Sequence, residues 1–378
     1  MSSSLDVAPT TAHPIDELNA WIDLGHASQA PAMVAPDGTL TGAAAHLLTP
    51  DPALARALYR DMVLGRRLDQ EATALQRQGE LCMWIPSLGQ EGAQAGAIRA
   101  VRDSDMVFPT YREHTAAIAR QVPVGEFLHM FRGVGHGGWD SHKHQFQIYT
   151  VVLAAQLLHA VGYGMGIQRD GADEVVLACI GDGATSQGDA NEAFGWAAAQ
   201  SVPVVFFVQN NQYAISVPVR SQSTQPLARR ADGFGFPGLR VDGNDPLAVH
   251  AAVRTAAACA RTGAGPVLIE AVTYRLGPHT TADDPRRYRD STEESYWAAR
   301  DPLSRTRTFL LGQEWADDAW LSTVDNEADG FAADIRKACL TLPDPAAESI
   351  FAHVYVEETA ELARQRQELT TYQASFAD

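Results

Sequence analysis

What is scarce in this chain narrows its class before any motif is read. Cysteine is rare: Cys82, Cys179, Cys259 and Cys339 are the four among 378 residues. They lie far apart and form no Cys-x-x-Cys pair, which argues against a disulfide scaffold or a thiolate zinc site and fits a reducing compartment. Basic charge is also short, with 29 Lys plus Arg against 46 Asp plus Glu and a net charge of −17. Without a basic excess there is little to displace counterions from a nucleic-acid backbone, so no nucleic-acid partner is expected. No uninterrupted apolar run reaches the roughly 20 residues of a membrane span, so no membrane partner is expected either. The opening residues, MSSSLDVAPTTAHPIDEL, hold neither a basic nor an apolar stretch, and no secretory signal is expected. Internal repeats are absent. What remains is 46% hydrophobic residues, enough to bury a sizeable core in one large α/β domain or two smaller ones. The expectation is a soluble, acidic, cytoplasmic protein.

Along the chain, residues 1 to about 15 are rich in Ser, Thr and Pro and are expected to be disordered, and 28–45 reads as an extended arm. From Asp51 the pattern turns helical, with Ala53, Leu58, Met62, Leu68, Ala72 and Leu75 at helical spacing after a proline. Helix is expected again from Gly89 to Ala97. The middle alternates short apolar runs, 175–180, 202–209 and 266–274, with Ala-rich helical segments. That is the pattern of a parallel sheet covered on both faces. After Asp301 the chain reads as polar helix. The expected organisation is an N-terminal arm over 1–50, partly disordered, one doubly wound, mostly parallel α/β domain over 51–300, and a helical region over 301–378.

The segment VVLACIGDGATSQGDANEAFGWAAAQSVPVVFFVQNNQYAIS carries the chemistry. A buried strand ends at Gly181-Asp182-Gly183, a helix with candidate caps Ser186 and Asp189 follows, and a second strand ends at Asn210-Asn211. Right-handed βαβ connectivity makes the strands parallel, so Asp182 and Asn211 both stand past carboxyl ends, where open α/β sheets bind ligands. A carboxylate and an amide oxygen suit Mg²⁺, which takes one or two protein oxygens and the rest from phosphate or water. Glycines beside Asp182 let backbone approach a diphosphate. A dinucleotide fingerprint fails because Ser186 stands where its last glycine belongs, and a P-loop fails because Asp189 and Ala190 replace Lys and Ser/Thr.

Gly-Asp-Gly followed by Asn-Asn is the thiamine-diphosphate signature. Together with LQRQGEL, FPTYRE, GDGATSQGD, VQNNQYAIS, PGLRVDGND and EAVTYRLGPHTTADDPRRYR, it makes the chain resemble the alpha subunit of the decarboxylating first component of 2-oxo acid dehydrogenase complexes. The resemblance runs from about Asp51 to Gln313 and implies a thiamine-diphosphate-binding fold over the α/β domain. It implies that Asp182, the Asn211 side chain and the Tyr213 backbone oxygen ligate Mg²⁺, and that Gly183 and Ala184 contact the cofactor through backbone. Tyr111 and Arg112 would hold the diphosphate, Val151 and Leu153 would support the aminopyrimidine, and His279 would stand over the cofactor as a catalytic group. A near-neutral histidine pKa suits proton transfer there. Trp84 and Thr110 are candidate lining for an acyl pocket. Taken alone, these residues have plainer readings: two ordinary turns, a core aromatic beside a surface arginine, a buried helix over 151–162, and a solvated loop histidine. Asp283, Asp284, Arg287, Tyr288 and Arg289 are expected to fold the His279 loop through charge pairs.

The sequence also departs from relatives. Gln209 stands where some carry Arg, which predicts a neutral contact to the diphosphate. Ala155 replaces a Thr near a monovalent-cation site, and Thr280 and Thr281 follow His279 where some relatives are phosphorylated. His136, His142 and His144 lack the spacing of a helical metal site and read as loop or core residues. The resemblance further implies a beta subunit that supplies an activating Glu in an α2β2 heterotetramer, and a lipoyl-bearing acyltransferase component that receives the acyl group. A branched-chain 2-oxo acid such as 3-methyl-2-oxobutanoate is the first expected substrate, with pyruvate second. Acetoin cleavage or a non-catalytic, regulatory subunit comes third.

Overall fold

A computed structural model describes residues 13–27, 30–43, 51–135 and 137–376. Five strands, β1 (Met106–Phe108), β2 (Val176–Gly181), β3 (Val204–Asn210), β6 (Gly238–Asp242) and β7 (Val267–Val272), form one sheet in the order β1-β2-β3-β7-β6. Every pairing is parallel. Two-residue strands β4 (Tyr213–Ala214) and β5 (Val217–Pro218) make a small antiparallel ribbon.

The apolar runs become strands because both faces are covered. Along β2, Leu177 and Cys179 enter one core, while Val176, Ala178 and Ile180 enter the other; β3 divides Val205 and Phe207 from Val204, Phe206 and Val208 in the same way. With period-2 side chains and helices on both sides, the successive positions 176–180 and 204–208 are all apolar. Helices Pro52–Arg77, Glu91–Ala100 and Pro246–Cys259 belong to the first core, and Ala155–Asp170 and Gly188–Ala199 to the second. Gly96 lets two helices close together: a Cβ there would lie 2.6 Å from the Pro246 carbonyl oxygen.

Local boundaries differ from the periodicity in instructive ways. Helix Pro52–Arg77 is capped by Asp51, which accepts from Ala53 N and Leu54 N, with proline in the first turn. Leu58, Met62, Leu68, Ala72 and Leu75 are buried as expected, but Ala53 faces solvent and Ala55 takes the core position. A 3₁₀ turn, Gly183–Ser186, separates Asp182 from helix Gly188–Ala199, and neither Ser186 nor Asp189 caps that helix. Within the stretch before Asp51, Pro14–Ala27 is helical with Trp21 fully buried. Residues 30–43 lie against the β6 side of the sheet, where Pro31 O accepts from Asp242 N and Asp245 accepts from Met33 N and Val34 N. Of the stretch from 1 to about 15 expected to be disordered, residues 1–12 lie outside the described set, whereas Pro14 and Ile15 already belong to helix Pro14–Ala27; His136 also lies outside the described set. After Asp301 the helices are Pro302–Gly312, Asp318–Thr341 and Ala360–Ala374. Among the described residues, no helix is long and apolar enough to cross a membrane.

Candidate active site

Parallel order brings the carboxyl ends of β1, β2, β3 and β7 to one end of the sheet, where four following loops surround a cavity of about 400 Å³. The loop after β1 brings Thr110, Tyr111 and Arg112, and that after β2 brings Asp182, Gly183 and Ala184. Asn211 and Tyr213 follow β3, and Arg275 and His279 follow β7. Val151 and Leu153, from the stretch before helix Ala155–Asp170, line the same cavity and are exposed. Residues far apart in the chain thus meet at one place.

Asp182 is buried, and its Oδ2 has no hydrogen-bond partner among the described residues. Burial pushes its carboxyl up to about 6. An unpartnered carboxylate oxygen out of water is costly unless a cation arrives. Asn211 Oδ1 accepts from Tyr213 N at 3.2 Å, keeping acceptor capacity for a second partner. Tyr213 O accepts from Arg275 Nη1 at 3.2 Å. Gly183 keeps the turn tight, since a Cβ there would lie 2.5 Å from Ala214 Cβ.

The opposite charge is also present. Arg112 is buried; its Nη1 donates to Pro86 O at 2.5 Å and its Nη2 to His279 O at 3.1 Å. Arg275, fully buried, donates to Tyr213 O, to Ile215 O at 2.7 Å and to Tyr288 Oη at 2.9 Å. These partners are neutral, and burial together with Arg112 and Arg289 lowers the Arg275 guanidinium to about 10. Two buried guanidiniums held by neutral groups call for an anion, and guanidinium geometry suits phosphate. Beside the free Asp182 oxygen, the donor set fits a cation and a phosphate-rich anion together.

His279 differs from expectation. Its ring is pushed down to about 3 by burial and by Arg112 and Arg275, so it is neutral, not poised near pH 7. Nδ1 faces Arg112 Nη2 at 3.1 Å and Arg275 Nη1 at 3.4 Å. Guanidinium groups only donate, so Nδ1 accepts and the ring proton sits on Nε2. Its loop is built less from ion pairs than the sequence suggests. Asp283 accepts from His279 N and Tyr288 Oη, while Arg289 lies over the Tyr274 and Tyr213 rings at 5.0 and 5.3 Å. The charge pairs of this loop are Asp284 with neighbouring Arg286 at 2.8 Å, and a longer one from Arg289 to Glu294 at 3.7 Å.

Other expected residues fall in varied places. Thr110 lines the cavity and donates to Glu113 at 2.6 Å. Trp84 is not brought to the wall: its indole stacks on His114 at 4.4 Å and donates to Asp69 at 2.9 Å. It serves the loop through backbone instead, exchanging bonds with Thr281. Gln209 is tied to Glu113 at 2.5 Å and Gln94 at 3.2 Å. Thr280 lines the cavity, while Ala155 opens its helix. His142 and His144 belong to a short helical turn away from the cavity. Glu113 and Gln90, both buried and cavity-lining, were not singled out by sequence; the Glu of FPTYRE and the Gln of LGQEG were the signals available.

The profile of the dehydrogenase E1 component family matches residues 59–340. The chain belongs to that family. It is 46% identical over 339 residues to the 3-methyl-2-oxobutanoate dehydrogenase subunit alpha of Mycobacterium tuberculosis, covering 89% of this chain and 92% of the relative. It is 37% identical to the pyruvate dehydrogenase E1 component subunit alpha of Bacillus subtilis (75% of this chain, 77% of the relative). Against the human mitochondrial 2-oxoisovalerate dehydrogenase subunit alpha the identity is 34%, covering 85% and 75%. The chain is therefore a homologue of the alpha subunits of branched-chain 2-oxo acid dehydrogenases, with pyruvate dehydrogenase alpha subunits also related. The family consists of thiamine-diphosphate-dependent oxidoreductase components.

Proposed function

We propose that this chain is the cytoplasmic alpha subunit of a heterotetrameric branched-chain 2-oxo acid dehydrogenase first component, with 3-methyl-2-oxobutanoate as substrate. The observation that carries the cofactor part is the juxtaposition of Asp182, with its buried unpartnered oxygen, and two guanidiniums held by neutral partners. The 46% identity over most of the chain supports the branched-chain substrate. The pyruvate dehydrogenase relatives, at 36–38% identity, favour pyruvate as the second reading.

In this reading Asp182, Asn211 Oδ1 and Tyr213 O would hold Mg²⁺, whose charge would offset that of the diphosphate. Arg112 and Tyr111 bind the diphosphate, Arg275 adds positive charge, and Gly183 and Ala184 offer backbone. Thiamine diphosphate, when bound, supplies the nucleophile and electron sink for decarboxylation. His279 keeps its proton on Nε2 and offers it as a hydrogen-bond donor to an oxygen of the reacting 2-oxo acid. Val151 and Leu153 support the aminopyrimidine and exclude water, while Thr110 borders the acyl group.

Val151, Val152, Leu153, Ile215 and Val217 are exposed apolar side chains. A beta subunit would cover them and supply the activating carboxylate, and a lipoyl-bearing acyltransferase would receive the acyl group. The test is reconstitution with the beta partner in Mg²⁺ and thiamine diphosphate, comparing turnover of 3-methyl-2-oxobutanoate with pyruvate. Higher kcat/KM for 3-methyl-2-oxobutanoate, with the alpha chain inert alone, is expected. Preference for pyruvate overturns the substrate assignment, and activity of the alpha chain alone overturns the shared site.

A further inference from the structure

Gln90, immediately before helix Glu91–Ala100, is 1% exposed and lines the cavity. Its side chain belongs to a short hydrogen-bond relay with one allowed direction. A backbone N–H can only donate, and Tyr213 N meets Asn211 Oδ1 at 3.2 Å. The other end of that amide, Nδ2, must then donate, and it reaches Gln90 Oε1 at 2.8 Å. Were Asn211 reversed, its NH₂ would confront the Tyr213 N–H, and its oxygen would face the Gln90 oxygen unless Gln90 turned its own amide over; the Tyr213 N–H therefore sets the direction, and Gln90 as placed adds the second bond that holds it. The remaining Gln90 atom, Nε2, is buried with no partner among the described residues. What the Gln90 side chain does in this arrangement is accept from Asn211.

We infer that Gln90 is a positioning residue for the cation site, holding Asn211 so that Oδ1 rather than Nδ2 faces the metal. The inference rests on the reading above, in which Asn211 ligates Mg²⁺. An amide presents an oxygen or two hydrogens depending on a half-turn of one bond, and only the oxygen binds a hard cation. The weak 3.2 Å contact to Tyr213 N alone is a slender restraint, and Gln90 makes the second. Second partners that orient metal ligands commonly contribute about tenfold or more to metal affinity. The residue acts through Asn211, not on the reacting atoms.

The variants that test this differ in acceptor chemistry at nearly constant volume. Q90M fills the space without an acceptor, whereas Q90E keeps an oxygen for Asn211 Nδ2. Each is assembled with the beta partner, stripped of metal and titrated with Mg²⁺ at fixed thiamine diphosphate, following quenching of intrinsic fluorescence. Q90M is expected to raise the Mg²⁺ midpoint about tenfold and Q90E to stay within about twofold of wild type. Both should recover wild-type cofactor affinity at saturating Mg²⁺. The variant Asn211→Asp has an oxygen at either end of its side chain, so in that background Q90M should shift the midpoint by less than about twofold. Q90A replaces Q90M should the latter not assemble. A Q90M midpoint equal to wild type, Q90E as weak as Q90M, or an undiminished Q90M effect in the Asn211→Asp background each overturns the inference. Absence of Mg²⁺-dependent binding by wild type overturns the underlying reading, and this inference falls with it.

Discussion

Nη2 of Arg112 stands 3.1 Å from Nδ1 of His279, and with Arg275 Nη1 at 3.4 Å it leaves that ring one proton, on the far nitrogen. Histidine at this site is therefore a neutral donor and not a titrating base. Nitrogen chemical shifts of the His279 ring should report the Nε2–H tautomer from about pH 5 to pH 8. A ring that titrates between those values refutes the assignment. The folded pKa, about 3, lies below the ordinary 6.5, so the unfolded chain binds the extra proton first. Its contribution to stability is present above 6.5 and declines as pH falls toward 3.

Asp182→Asn should separate stability from function. Removing a buried charge with an unpartnered oxygen is expected to stabilise the metal-free protein by about 1–3 kcal/mol. Mg²⁺-dependent retention of thiamine diphosphate should fall at least about tenfold. Thermal unfolding and cofactor titration check the two halves. Unchanged retention removes Asp182 from the ligand set.

Gly183→Ala tests the tightness of the turn beside it. The added methyl would lie 2.5 Å from Ala214 Cβ, so the β4–β5 ribbon must shift. A destabilisation of about 1–3 kcal/mol is expected from overpacking, with weaker cofactor binding because Tyr213 moves with the ribbon. Denaturant unfolding measures the first effect and the cofactor Kd the second; wild-type values for both would contradict the packing described.

Asp69 predicts an opposite pH trend. Burial, with the nearby charge of Glu91, pushes its carboxyl up to about 7 from 3.8. A raised folded pKa means that the folded state binds the proton more tightly, so its stabilising contribution is full below 3.8 and is lost as pH rises through 7. Asp69→Asn should remove that slope. It should also lower stability overall, because one amide oxygen cannot accept from Trp84 Nε1, Ser87 N and Ser87 Oγ as the carboxylate does. Unfolding free energies from about pH 4 to pH 8 decide both points.

How much of this was legible in the sequence depends on the range of the interaction. The parallel sheet was, because burial on both faces forces continuous apolar runs such as 204–208. Asp182 and Asn211 could be placed in one site because the β2–β3 connection puts both past strand ends. The low pKa of His279 could not be read, since it depends on burial of the ring and on guanidiniums brought beside it by the folded loops. Trp84 reads from the sequence as candidate pocket lining, yet its indole is claimed by Asp69 and His114. Helix Pro14–Ala27 was hidden by a Pro- and Thr-rich lead, and its Trp21 is explained by tertiary packing alone. Gln90 acts through Asn211, a pairing that no local pattern encodes.

The exposed apolar rim of the cavity, Val151 through Leu153 with Ile215, has a kinetic consequence under the proposed subunit arrangement. A site whose wall is completed by another chain exists only as long as the two chains remain together. Specific activity should then depend on dilution: at enzyme concentrations below the subunit dissociation constant, turnover would fall faster than in proportion to protein, and added beta chain would restore it.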